Sequence, residues 1–91
     1  MAKLPRGLAV GPAAASFLDA MQPGKVRTQI VRKMRALQED PRPPGCKKLA
    51  GVSSKSDSVW RVRSGNYRML YVVHEAEVIV IDIGHRKNIY K

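Results

Sequence analysis

The chain is short of several things, and each shortage removes a class of function. It has one cysteine, Cys46. A single cysteine cannot build an intramolecular disulfide framework, so the expected compartment is a reducing one, the cytoplasm. Cys46 also lies in a Pro- and Gly-rich stretch without Cys or His at metal-ligand spacing, which leaves it a spare thiol. No apolar run approaches the ~20 residues of a membrane helix. Lys3 and Arg6 ahead of Leu8-Ala9-Val10 faintly resemble a secretory signal, but Gly11-Pro12 breaks the run and none is expected. The chain contains no Ser/His/Asp set with a spare carboxylate, no metal quartet, no P-loop and no dinucleotide fingerprint. No metal or cofactor is therefore expected. There are no internal repeats and no second composition regime, so residues 1–91 read as one domain with a modest core.

Acidic residues are the other shortage. Seven Asp plus Glu stand against seventeen Lys plus Arg, a formal charge of +10 at pH 7. Such an imbalance speeds encounter with polyanions and points to nucleic acid or an acidic protein as partner. The hydrophobic fraction of 44% is that of a globular chain.

Taken in order, Leu4 to Val10 can hold a short strand weakened by Pro5 and Gly7. Pro12 suits a first helical position. From there Ala14, Phe17, Leu18 and Met21 recur on one helical face, and Pro23-Gly24 stops the run. A second helix is expected over 25–38, with Val26, Ile30, Met34 and Leu37 as its stripe and Lys25, Arg32 and Arg35 on another face. Asp40-Pro41-Arg42-Pro43-Pro44-Gly45 cannot continue a helix, and Cys46 to Ser58 reads as a serine-rich loop. Three strands follow. Trp60 and Val62 alternate with Val59, Arg61 and Arg63. Ser64-Gly65-Asn66 turns the chain, and Tyr67, Met69, Tyr71 and Val73 then alternate with Arg68, Leu70, Val72 and His74. After Glu75-Ala76, the run 78–83 is apolar on both faces apart from Asp82, so it should be an interior strand.

This pattern brings Arg61, Arg63 and Arg68 together on adjacent antiparallel strands. Three guanidiniums repel unless an anion sits among them, and their planar forks suit phosphate oxygens. The bland alternative is three solvated arginines on a sheet. With no nucleophile or metal set, the chemistry that fits is RNA cleavage by the RNA's own 2′-OH, which asks for orientation, charge on the phosphorane and two proton transfers. Arg61, Arg63, Arg68 and Arg86 would supply charge, and His85 and Tyr90 would handle protons. A histidine ordinarily titrates near ~6.5 and a tyrosine near ~10, so a tyrosine base needs a cationic pocket. Each of the two could equally be structural.

The segments Lys47-Lys48-Leu49-Ala50-Gly51, Trp60 to Tyr71 and Ile83-Gly84-His85-Arg86-Lys87-Asn88-Ile89-Tyr90 closely resemble the RelE toxins of the RelE/ParE superfamily, the toxin halves of type II toxin–antitoxin pairs. The resemblance covers nearly the whole chain. It implies an α+β fold, a two-helix hairpin packed on a small, mainly antiparallel four-stranded sheet (β-α-α-β-β-β). It implies a ribosome-dependent mRNA endoribonuclease (an mRNA interferase) that works in the ribosomal A site and leaves a 2′,3′-cyclic phosphate. Arg68 looks like the family's phosphate-binding arginine, Arg86 like its phosphorane-stabilising arginine, and Tyr90 like the tyrosine that orients or deprotonates the 2′-OH. Arg61 and Arg63 stand where well-studied members carry lysines. Arginine resists deprotonation, which makes His85 the better proton carrier of the three. Lys25, Arg32, Arg35, Lys47, Lys48 and Lys87 would bind ribosomal RNA, and an acidic RelB-like antitoxin would neutralise the positive face. Two rivals stay open: a ParE-like inhibitor of DNA gyrase, and a basic RNA-binding module without catalysis.

Overall fold

The missing N–H of Pro12 is one that a first helical turn does not need. The computed structural model, which describes residues 6–54 and 57–85, runs the first helix over Pro12–Ala20 (α1) and the second over Lys25–Glu39 (α2). Ahead of them lies β1 (Gly7–Val10). After them come β2 (Lys47–Ser54), β3 (Asp57–Ser64), β4 (Tyr67–His74) and β5 (Glu77–His85). The strands form one sheet in the order β1-β5-β4-β3-β2, antiparallel except where β1 runs parallel to β5. The expected α+β class and mainly antiparallel sheet are found, and β5 is interior as its apolar run requires.

The sheet has five strands rather than four, because the expected serine-rich loop is largely strand. β2 pairs with β3 at Lys47–Arg61 and Lys48–Trp60, slips, and pairs again at Ser53–Ser58 and Ser54–Asp57. Its sequence has neither alternation nor β-branched richness, so it signals no strand by itself. β3 supplies the ladder, and an edge position tolerates the lysines and the irregular register. At the next turn Gly65 has φ +60°, the left-handed region that a glycine enters freely in a two-residue hairpin turn.

Both helices cover the same face. Ala14 and Leu18 of α1 and Ile30, Met34 and Leu37 of α2 pack on Val62, Met69, Tyr71, Val78, Val80 and Ile83. Close approach at the β1–α1 junction needs Gly11. Its N–H bonds to the Val80 carbonyl at 2.8 Å, and a Cβ there would sit 3.2 Å from the same oxygen. The Arg27 Nε donates to the Leu18 carbonyl at 3.2 Å and ties the helices together. The Gln38 side-chain amide donates to the Arg6 carbonyl at 2.6 Å and holds the end of α2 to the start of β1.

Strict alternation along β5 would put Val78, Val80 and Asp82 on one face and Ile83 on the other. The register shows otherwise. Tyr71 pairs with Val80 but Leu70 pairs with Asp82, so Ile81 is an extra residue, a β-bulge. Beyond it Ile83 joins the helix-covered core, and Asp82 and Gly84 turn to the uncovered face. The Asp82 carboxylate accepts the Ile83 N–H at 2.9 Å within the bulge.

The proline loop is held from below. Trp60 and Tyr71 lie side by side across β3 and β4. The Arg42 guanidinium stacks over the Trp60 ring at 4.8 Å, and the Tyr71 hydroxyl donates to the Pro41 carbonyl at 2.5 Å. Burial, aided by the neighbouring Cys46 thiol, pushes the Tyr71 phenol well above its ordinary value. Tyr71→Phe deletes this bond and leaves the Pro41 carbonyl unmet. The expected loss is about 1–2 kcal/mol, or roughly 4–8 °C in Tm per kcal/mol for a domain this small. The fold favours the neutral phenol, so its contribution is complete below about pH 10 and is lost as pH rises beyond that. Urea melts at pH 8 and pH 11 should show stability falling more steeply for the wild type than for Tyr71→Phe. Parallel declines would refute the assignment.

Candidate nucleic-acid interface

Residues of β3 and β4 that alternate with the core point to the face without helices. There Arg63 directly opposes Arg68, and Arg61 opposes Leu70. β5 extends both rows, with Gly84 beside Arg68 and Asp82 beside Leu70. On the other side Lys47 of β2 stands next to Arg61. The uncovered face therefore carries the rows Arg63–Arg68–Gly84 and Lys47–Arg61–Leu70–Asp82. Sequence reasoning grouped the three arginines, and the structure brings them together.

Like charges directly opposite, with Cβ atoms about 4.5–5.5 Å apart, ordinarily destabilise a sheet. Arg63 is exposed, whereas Arg61 and Arg68 are half-buried with their Nε atoms shielded from solvent. The Arg61 Nε has no hydrogen-bond partner among the described residues. Asp82 is the carboxylate of these rows, and one of its oxygens is occupied by the bulge. A half-sunk guanidinium such as that of Arg61 is suited to an incoming oxyanion such as phosphate. Gly84 keeps the space beside Arg68 free of a neighbouring side chain on that row.

His85 lies elsewhere. It pairs with Tyr67 on the helix side, with ring centroids 5.7 Å apart edge to face, and Tyr67 meets Phe17 of α1 in the same manner at 5.8 Å. The sheet thus separates His85 from the arginine rows, although Gly84 is its neighbour in sequence. Arg86, Lys87 and Tyr90 fall outside the described residues.

Among the other expected cations, Lys25, Arg32 and Arg35 are exposed on α2. Lys47 and Lys48 are exposed on β2 and point to opposite faces, Lys47 toward Arg61 and Lys48 opposite Trp60. Lys33 was not singled out by the sequence. It is half-buried between α2 and the β3–β4 turn, where two adjoining cavities of about 400 and 460 Å³ both reach it and Arg63. Its signal was weak because it sits one turn from the helix's apolar stripe. The uncovered face also has an apolar half. A cavity of about 390 Å³ is floored by Val72, Ile79 and Ile81, and His74 and Asp57 pair at its rim at 2.8 Å.

The family model described as "ParE toxin of type II toxin-antitoxin system, parDE" matches residues 10–90. No curated protein matches the chain. Among solved structures the chain is similar to the archaeal RelE–RelB complex from Pyrococcus horikoshii OT3, at 17% identity and a TM-score of 0.76, covering 93% of this chain and 99% of that one. It is similar to the toxin–antitoxin complex RelBE2 from Mycobacterium tuberculosis, at 21% identity and a TM-score of 0.70, covering 91% and 100%. It is also similar to the RelB–RelE complex from Methanococcus jannaschii, at 25% identity and a TM-score of 0.68, covering 90% and 94%. Likeness at such identities speaks for the fold.

Opposed arginines should welcome a small oxyanion. Inorganic phosphate at ten times its dissociation constant is expected to stabilise the folded chain by about 1.4 kcal/mol. The gain should shrink in Arg61→Gln and Arg68→Gln. Thermal melts across a phosphate titration, at constant ionic strength held with chloride, measure this. Equal gains in all three proteins would remove the arginine rows as the anion site.

Proposed function

We propose, for a chain that belongs to the ParE toxin family of type II toxin–antitoxin systems, that the toxic act is cleavage of mRNA on the ribosome. The observation that carries this reading is the Arg63–Arg68 opposition with Arg61 in the adjoining row, on a face that the helices leave open. In the reaction the 2′-OH of one nucleotide attacks the adjacent phosphorus and the P–O5′ bond breaks. The products are a 2′,3′-cyclic phosphate and a 5′-OH. One proton leaves the 2′-oxygen and one reaches the 5′-oxygen. Arg61 and Arg68 would hold the non-bridging oxygens, on which charge builds in the phosphorane. Arg86 and Tyr90, by resemblance to the RelE pattern, would add charge at the leaving side and handle the 2′ proton. His85, on the helix side of the sheet, is the less suited of the two proton carriers. No metal or cofactor enters this scheme. The RNA supplies the nucleophile and the ribosome holds the strand, which suits a chain with room for only small clefts.

An acidic antitoxin, RelB-like as in the similar complexes, would neutralise the same face. Carboxylates would meet the arginine rows, and apolar side chains would meet Val72, Ile79 and Ile81.

The second reading is inhibition of DNA gyrase, favoured by the family whose model matches the chain. It requires no phosphate-binding face with reacting geometry. Purified toxin in a translating extract should cut mRNA, and Arg68→Ala, Arg86→Ala and Tyr90→Ala should each lower the rate about 10²–10³-fold, by analogy with loss of one oxyanion donor. Intact mRNA together with loss of gyrase supercoiling would favour the second reading and retire the first.

A further inference from the structure

Cleavage through the 2′-OH needs a group that accepts the 2′ proton, and few of the described side chains can. His85 lies behind the sheet against Tyr67. His74 is tied to Asp57 at 2.8 Å, at the rim of the apolar cavity and four residues along β4 from Leu70. The Tyr67 ring meets Phe17 on the helix side, and the Tyr71 hydroxyl is committed to the Pro41 carbonyl. Of the described carboxylates, Asp82 is the one that stands in the arginine rows.

The bulge at Ile81 turns Asp82 to that face and also holds it there. One oxygen, Oδ1, accepts the Ile83 N–H at 2.9 Å, which fixes the side chain without help from a cation. The other, Oδ2, has no hydrogen-bond partner among the described residues, and Asp82 forms no ion pair with any of them. A carboxylate gripped by a guanidinium fork would be a weaker base. Here one oxygen is anchored and the other is open. Leu70, itself half-buried, is the floor of the arrangement. Arg61 flanks it on β3 and Asp82 on β5, and Arg68 precedes it by two residues on the same face of β4. Neighbouring strands lie ~4.8 Å apart, so Arg61 and Asp82 straddle roughly 10 Å of sheet. That span admits a phosphate near the arginines with a ribose between it and Asp82.

We propose that Asp82 is the base that takes the 2′ proton. The inference rests on the mRNA-cleavage reading above and deepens it. Arg61 and Arg68 hold the non-bridging oxygens, and the attacking ribose lies toward β5, where Gly84 leaves room. Asp82 Oδ2 accepts the 2′ proton as the 2′-oxygen bonds to phosphorus. The P–O5′ bond breaks, the 5′-oxygen takes a proton from water, and the hydroxide so formed recovers the proton from Asp82. No other reactant is consumed. Asp82 is favoured over Tyr90 for this step because a carboxylate is a base at neutral pH without assistance, whereas a phenol must first have its proton affinity lowered. Tyr90 keeps the orienting role. A purely structural role in the bulge uses Oδ1 alone, and an asparagine would fill it equally.

The test separates the two oxygens. Asp82→Asn keeps an oxygen for the Ile83 N–H and replaces the basic one with an amide. Wild type, Asp82→Asn and Asp82→Ala are compared in single-turnover cleavage of a labelled mRNA on purified ribosomes, with toxin concentration and pH varied and melting curves recorded. Asp82→Asn should cut at least about a hundredfold more slowly at saturating toxin, with the half-saturating concentration and the melting curve unmoved. Its residual rate should rise about tenfold per pH unit, as hydroxide takes over from the lost base, and the wild-type rate should rise less steeply. Asp82→Ala should lose as much rate and also melt lower, because the Ile83 N–H then goes unmet. A smaller loss in Asp82→Asn would overturn the proposal. So would a pH dependence equal to that of the wild type, or a loss that comes with weaker binding or a lower melting temperature. In each of those cases the wild type still cuts, and the nuclease reading stands. A wild type that cuts nothing would retire both.

Discussion

The bulge at Ile81 decides which residues at the end of β5 meet the helices and which face away from them. Ile81 is the extra residue, and beside it the Ile83 N–H donates to the Asp82 carboxylate at 2.9 Å. Without the bulge the end of β5 would present its other side. Ile83 would leave the core, and Asp82 would be driven into it as an unpaired carboxylate, which is costly. Gly84 would no longer stand beside Arg68. One extra residue therefore links the packing of the core to the composition of the arginine rows.

The sequence showed both helices nearly to the residue, because their apolar spacing and the Pro and Gly stops are local signals. It also showed the β3–β4 hairpin and the grouping of Arg61, Arg63 and Arg68, since alternation and a two-residue turn fix register. Two things were hidden. β2 has no pattern of its own, and its strand character comes from the ladder that β3 offers at Arg61, Trp60, Ser58 and Asp57. The bulge at Ile81 is invisible in an uninterrupted apolar run, where every residue suits either face. That is why His85 could be grouped with the arginines by sequence distance and yet sit on the opposite side, against Tyr67. The Lys33 cleft was missed for a related reason. It is built by α2, a turn and a proline loop that are far apart in the chain.

The two sides of the sheet divide the work. The helix side provides stability, through the packed core and through the aromatic pair that holds the proline loop. The uncovered side concentrates cations, with Arg63 opposite Arg68 and Lys47 beside Arg61. Like charges directly opposite ordinarily weaken a sheet, and an anion beside them offsets that cost.

The parallel pairing of β1 with β5, which aligns Gly7 with Glu77, has a consequence for how the chain comes into being. The first strand has no partner until β5, the last strand among the described residues, has been made. Contacts of such long sequence separation form late and slowly, so the helices and the β3–β4 hairpin must wait for the sheet to close over the full length of the chain. During synthesis the nascent polypeptide thus lacks the bulge, Gly84 and the completed rows until β5 has been made.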